Sequence, residues 1–285
     1  MIPNAGYEQR RQHGIQQAYL TYEIIAEGGL TRLMAIFKDV DIEKLGPIRS
    51  SRHYFLDYVL ENDALYIHWG GSNPYAYNDI AKLKINNLDG MNYDDGKDTV
   101  FWRDTKNYSA PNNGFISTKN LKQESENKNY RLTSDDYELL NYQKNKVDLS
   151  KDETVKEAKN ITIKYPVSSV RYEYVADKEY YLRFNNKEKH VDKLTNEQVH
   201  VKNILVLKIE NKKIPGDTED RQNLFNIGSG EGYFITNGQS IEITWNKHSR
   251  ESKTIYKNKK GEEIVVNDGN TFIQIQPIGN STIIE

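Results

Sequence analysis

Residues 19–37 read YLTYEIIAEGGLTRLMAIF, two runs rich in apolar and β-branched residues on either side of Gly28-Gly29. A Gly-Gly pair between such runs signals a β-hairpin, because glycine reaches positive φ without a Cβ clash. With a two-residue loop, Glu27 pairs with Leu30. Strand alternation then sets Glu23, Ile25, Glu27, Leu30, Arg32 and Met34 on one face, with Tyr22, Ile24, Ala26, Thr31, Leu33 and Phe37 on the other. Both faces are largely apolar, so the hairpin is expected inside a sheet covered on both sides. Glu23, Glu27 and Arg32 then need partners, since an unpaired buried charge is costly.

Outward from this hairpin, Gly46-Pro47 precedes IRSSRHYFLDYVLEN, where Ser50 or Ser51 can cap a helix with Phe55, Leu56, Val59 and Leu60 at helical spacing. ALYIHW at 64–69 reads as a short buried strand. Gly70, Gly71 and Ser72 turn the chain toward Asn73-Pro74, a helix start with Asn73 as cap. A second aromatic strand, TVFWRD at 99–104, follows an Asp- and Gly-rich stretch near 94–96. From about 120 to 159 the composition shifts to Lys, Glu, Asp, Asn and Ser. Beyond that come NITIKYP, RYEYVADKEYYLRF, HVKNILVLKIE, GYFITNGQSIEITW, KTIYKNKKGEEIVV and NTFIQIQP, strands joined by short turns such as Asn237-Gly238. The sequence thus predicts an α+β protein, with an N-terminal mixed α/β domain at 1–150 followed by a mainly antiparallel β domain at 151–285.

With 39 Lys plus Arg against 41 Asp plus Glu, the net charge is −2, and the basic footprint of a general nucleic-acid binder is missing. The sequence has no apolar run of membrane-spanning length. It has no Cys, which removes disulfides, thiolate metal sites and Cys nucleophiles. Zinc-helix, Walker, nucleophile-elbow and EF-hand signatures are absent, and the six His show no metal-ligand spacing, so neither a metal nor a cofactor is expected. GSGEG at 228–232 lacks the following Lys of a phosphate loop and reads as a turn.

The candidate site is cationic. Arg49 and Arg52 bracket one helix start, Gly70, Gly71 and Ser72 open another, and Arg103 lies in a strand. Helix N-termini offer free amides, and arginine offers a planar fork matched to carboxylate or phosphate. Glu27, Arg32 and His68 are expected in the same neighbourhood, with the carboxylates holding arginine rotamers. Glu23 and Glu27, four residues apart on a strand, stand about 13 Å apart, too far for a glycosidase pair by themselves. Either could work with Asp57.

RRQHGI at 10–15, YEIIAEGGLTRLMAIF at 22–37, GPIRSSRHYF at 46–55, ALYIHWGGS at 64–72, FWRD at 101–104, ITWNKHSR at 243–250 and GNTFIQIQP at 269–277 together resemble the YerB-like lipoproteins of Gram-positive bacteria, a two-domain family. This family carries a His where the present chain reads Asn112-Asn113. The resemblance implies export, with a signal peptide and lipid-anchoring Cys upstream of Met1 and contact with the membrane through that anchor alone. It supplies no reaction. Three readings follow. The first is a binding module for an anionic wall component, a peptidoglycan stem or teichoic acid, through Glu27, Arg32, Arg49, Arg52, His68, Gly70, Gly71, Ser72 and Arg103. The second is a scaffold that recruits an envelope protein through a strand edge. The third is a hydrolase of envelope glycan or phosphodiester bonds.

Overall fold

The computed structural model describes residues 1–4, 11–94, 100–134 and 138–285. Arg10 of the RRQHGI block, and Asp95, Gly96 and Thr99 ahead of the aromatic strand, lie outside the described residues.

The hairpin forms as strands β2 (Leu20–Ile25) and β3 (Thr31–Ile36), and all six residues of β2 are buried. Its register differs from the expected one by a residue. Ile25 pairs with Thr31, and the Ala26 amide closes the loop on Leu30 O at 2.6 Å, leaving Glu27, Gly28 and Gly29 as a three-residue turn. Gly28 and Gly29 both take positive φ, 62° and 72°, so the glycines act as expected while Glu27 leaves the ladder. Because side chains alternate with period two, that step changes the facing partners. Glu23 lies opposite Leu33, and Arg32 lies opposite Ile24.

The hairpin joins a nine-stranded sheet built largely from the C-terminal half. In spatial order the strands are β1 (Ile2–Pro3), β3, β2, β14 (Thr271–Pro277), β10 (Asn203–Ile209), β11 (Gly228–Thr236), β12 (Gln239–Lys247) and β13 (Ile255–Asn258), with β4 (Lys156–Glu157) also pairing β12. Strand β14 is parallel to both neighbours, β2 and β10, and the other pairs in this sheet are antiparallel. A six-stranded antiparallel sheet packs on one face. Its order is β8 (Glu188–Lys189), β7 (Tyr180–Asn185), β6 (Ser169–Val175), β5 (Asn160–Lys164) and β15 (Thr282–Ile284), with β9 (His200–Val201) also on β7. The Asn237-Gly238 hairpin forms with both residues at positive φ, as a type I′ turn requires. The GSGEG segment is not a turn but the start of β11. There Gly232 lies so close to β10 that an added Cβ would stand 2.1 Å from Val206 O.

Alternation divides the large sheet between two cores. Tyr22, Ile24, Met34, Leu205, Leu207, Phe234, Ile243 and Ile273 pack against Tyr54, Phe55, Tyr58 and Val59, from helix α1 (Leu56–Glu61) and the helical turn before it. Leu33, Ile204, Val206, Ile235 and Phe272 pack against Ile161, Ile163, Tyr172 and Tyr181 of the small sheet. A third cluster surrounds Trp69, Leu88, Phe101 and Ile116. The expected capping differs: neither Ser50 nor Ser51 caps α1, and Ser51 Oγ instead accepts from Tyr66 Oη at 2.9 Å. Helix α2 (Tyr75–Lys82) is preceded by Pro74, and Ser72 rather than Asn73 accepts from the Ala76 amide.

Since β2 takes its hydrogen bonds from β14, a fragment of residues 1–150 loses the strand that covers one edge of its hairpin. We expect this fragment to lack near-ultraviolet circular dichroism and dispersed amide resonances when expressed alone, and to regain both on mixing with 151–285. A separately folded 1–150 fragment would contradict the shared-sheet architecture.

Candidate functional site

Glu27 leaves the sheet at the hairpin tip, and Arg52 leads into the helical turn before α1. The two meet there in a bidentate pair: Arg52 Nε donates to Oε1 and Nη2 donates to Oε2 at 2.7 Å. Arg32 Nη2 reaches the same Oε2 at 3.4 Å, and its Nη1 donates to Ser50 O at 2.7 Å. The group is partly accessible, with side-chain exposures of 11% for each arginine and 21% for Glu27. Burial alone raises the Glu27 carboxyl, but the hydrogen bond and charge of Arg52, with the charge of Arg32, hold it below its ordinary value. Burial and the neighbouring Arg52 charge lower Arg32 to about 10.

Ser51 ties this cluster to the glycine turn. Its amide donates to Gly70 O at 2.9 Å, and its carbonyl accepts from the Ser72 amide at 3.2 Å. The Gly70 amide donates to Asp89 Oδ1 at 2.7 Å, so two amides of this turn already have protein partners. Gly71 makes a bridge to Ser51 beside them. His68 is fully buried, its Nδ1 donating to Gly70 O at 2.8 Å and its Nε2 lying 3.1 Å from Asn87 Oδ1. Arg49 accepts the Trp69 amide at its carbonyl, and its Nη1 donates to Asn112 Oδ1 at 2.9 Å. Arg103 has a different set of contacts. It grips Asp94 through Nε and Nη2, donates from Nη1 to Asn113 Oδ1 at 2.9 Å, and stacks 4.4 Å over the Trp69 ring. Glu27, Arg32 and Arg52 are therefore in direct contact, Gly70, Gly71 and Ser72 are joined to them by backbone, and Arg103 makes none of these contacts but stacks on Trp69. Asn112 and Asn113 orient two of the candidate arginines.

Glu23 points away from this cluster, into the space between the two sheets. Its carboxylate accepts from Arg183 Nη2 at 2.6 Å, Asn4 Nδ2 at 2.7 Å and Thr31 Oγ1 at 2.8 Å, with both charged side chains fully buried. Burial and the Arg183 charge keep His190 neutral, so its Nδ1 accepts from Arg183 while Nε2 donates to Gln12. Glu61 is held by Lys247 Nζ at 2.7 Å and by the Thr254 hydroxyl, and Asp57 by Arg250. Sequence reasoning missed Arg183, Lys247 and Arg250. The signal for Lys247 was present: Ile243 and Trp245 face the first core, and alternation carries Lys247 to the same side, where a cation demands a carboxylate. Among the described residues no group of His, Asp and Glu is arranged to hold a metal ion.

This architecture is matched by known proteins. A family described as proteins of unknown function, DUF3048, matches with its N-terminal domain at residues 1–131 and its C-terminal domain at 161–273. The chain belongs to this two-domain family. It is 27% identical over 282 residues to the Bacillus subtilis (strain 168) protein named "Putative lipoprotein YerB", covering 97% of this chain and 80% of that one. The crystal structure of the YerB protein from Bacillus subtilis superposes with a TM-score of 0.83 at 25% identity, covering 99% of this chain and 91% of that one.

Two outcomes follow from the buried charges. Arg183→Met leaves Glu23 without its cation between the sheets, and urea unfolding should show a loss of about 3–5 kcal/mol; a loss below about 1 kcal/mol, the scale of an exposed pair, would contradict the buried clamp. The second outcome concerns acid. Burial and the nearby Lys44 charge lower His13 to about 4, and His190 lies well below its ordinary value. The unfolded chain therefore takes up more protons below the usual histidine value of about 6.5, and stability falls as pH drops from there toward 4. Glu27 and Asp104, both held low, keep their contribution above their unfolded values and lose it as pH falls through the folded ones. Urea midpoints should decrease steadily from pH 7 to pH 4, whereas a flat profile would contradict these environments.

Proposed function

We propose that the protein is an extracytoplasmic, lipid-anchored envelope protein that binds an anionic wall component, a peptidoglycan stem peptide or teichoic acid, at the Glu27, Arg32 and Arg52 cluster. One observation carries the reading: two guanidinium groups share a single carboxylate at the partly open tip of the hairpin. A ligand carboxylate or phosphate presents the same acceptor geometry as Glu27 and would compete for the Arg52 fork, using charge-assisted bonds of about 1.5–3 kcal/mol each. Arg49 lies beside this position, and its charge adds to that of Arg52 in lowering Arg32. Gly70, Gly71 and Ser72 are linked to the cluster through the backbone of Ser51, His68 bonds Gly70 O, and Arg103 stacks on Trp69. The lipid anchor is taken from the name of the Bacillus subtilis relative. Among the described residues no helix is long and apolar enough to cross a membrane. Arg52 and Arg32 hold the Glu27 carboxyl below its ordinary value, which favours a binding role over a general-acid role for that residue.

Isothermal titration with teichoic acid and with muropeptides tests this reading. Arg52→Ala should weaken binding about tenfold, the loss of one such bond, and added salt should weaken the unaltered protein. Glu27→Gln removes the internal competitor and should tighten binding. Affinities unchanged by both substitutions would overturn the assignment. Turnover of either ligand seen by mass spectrometry, and lost in Glu27→Gln, would replace it with the hydrolase reading.

A further inference from the structure

The small sheet stops short of covering the large one. On β12, Ile241, Ile243 and Trp245 enter the first core, while the opposite face runs from buried Ser240 through half-buried Glu242 to exposed Thr244 and Asn246. Tyr233 on β11 is only partly covered. Above this shelf lies β15, the last strand of the small sheet, paired to β5 on one side only. Between them runs a groove of about 320 Å³ lined by Thr154, Lys156, Tyr233, Glu242, Thr282 and Ile284, among others.

The hydrogen-bond phase of β15 fixes what the groove offers. Asn160 and Glu285 exchange both backbone bonds at 2.6 and 2.8 Å, and the Lys164 amide donates to Ser281 O at 3.0 Å. In an antiparallel ladder the bonded residues alternate, so the amides and carbonyls of Thr282 and Ile284 point away from β5, toward the groove. Natural sheets protect an open edge with proline, charge, a bulge or a short strand. Strand β15 is only three residues long, but it reads Thr-Ile-Ile and carries no proline, charge or bulge. Ile283 is 44% exposed on its outer face.

We propose that β15 is a strand-addition site for an extended peptide segment of a partner protein, running antiparallel and bonding the outward amides and carbonyls of Thr282 and Ile284. Peptide residues opposite Thr282 and Ile284 point down onto Tyr233, between Lys156 and Glu242, so uncharged side chains of Thr or Val size suit those positions. The intervening residues face solvent beside Ile283. This site stands apart from the hairpin-tip cluster and does not depend on the anion-binding reading.

The test is an NMR titration with acetyl-Lys-Thr-Val-Thr-Val-Thr-Lys-amide, its lysines added for solubility. Shift changes should be confined to residues 281–285, Tyr233 and the 154–156 segment. Ile284→Pro removes one outward amide and none that β5 uses, and should weaken binding at least about tenfold. The same peptide N-methylated at every Thr and Val, tested on the unaltered protein, should lose binding even where the proline variant fails to fold. Arg52→Ala should leave peptide binding unchanged. No binding at about 1 mM, equal binding of the N-methylated peptide, or a β15-mediated dimer of this chain that excludes the peptide would each overturn the proposal.

Discussion

The parallel ladder between Leu20–Ile24 and residues 271–275 is the constraint on which the rest of the molecule depends. Strand β2 is buried along its whole length, so every backbone donor and acceptor in it must find a protein partner. Strand β3 satisfies one edge. The other edge is satisfied by a strand about 250 residues later in the chain, so the N-terminal hairpin completes its hydrogen bonding only when the C-terminal domain has delivered β14. The two family domains are distinct in sequence and joined in one sheet. Burying Glu23 in β2 adds a second requirement of the same kind, because its cation, Arg183, comes from the small sheet.

The charges follow from that packing. Three of the buried carboxylates among the described residues, Glu23, Glu61 and Asp57, each receive a cation from a distant part of the sequence, Arg183, Lys247 and Arg250. Removing one partner of such a pair is far more costly than losing an exposed pair, since the remaining charge stays in a poorly polarisable interior. At the hairpin tip the arrangement differs, with two arginines around one carboxylate and access to solvent. A surplus of positive charge is tolerable there because water can reach it.

Much of the strand pattern was legible in the sequence. Alternation and turn residues located the strands after about 160, and Asn237-Gly238 and Gly28-Gly29 marked real hairpins. The register of the first hairpin was not legible, because both of its faces are apolar and a one-residue step exchanges one acceptable pattern for another. Alternation consequently places Glu27 on a face of the strand, whereas it belongs to the turn. The contact between Glu27 and Arg52 was foreseeable as a need for charge compensation, but the choice of Arg183 for Glu23 was not. In YYLRF the apolar alternation favours Leu182 and Phe184 as the inward residues, whereas Tyr181 and Arg183 are the ones fully buried. The parallel docking of β2 on β14 also lay beyond local pattern, since no short-range signal specifies a strand partner at that separation.

Native-state hydrogen exchange as a function of urea tests the shared sheet most directly. If β2 and β14 form one cooperative unit, the amides of Thr21 and Glu23, which face β14, should exchange only through the same global opening as those of Ile273 and Ile275, with equal free energies and equal urea dependence. Exchange of the β2 amides through a separate opening of lower free energy, while β14 and β10 stay protected, would contradict the account.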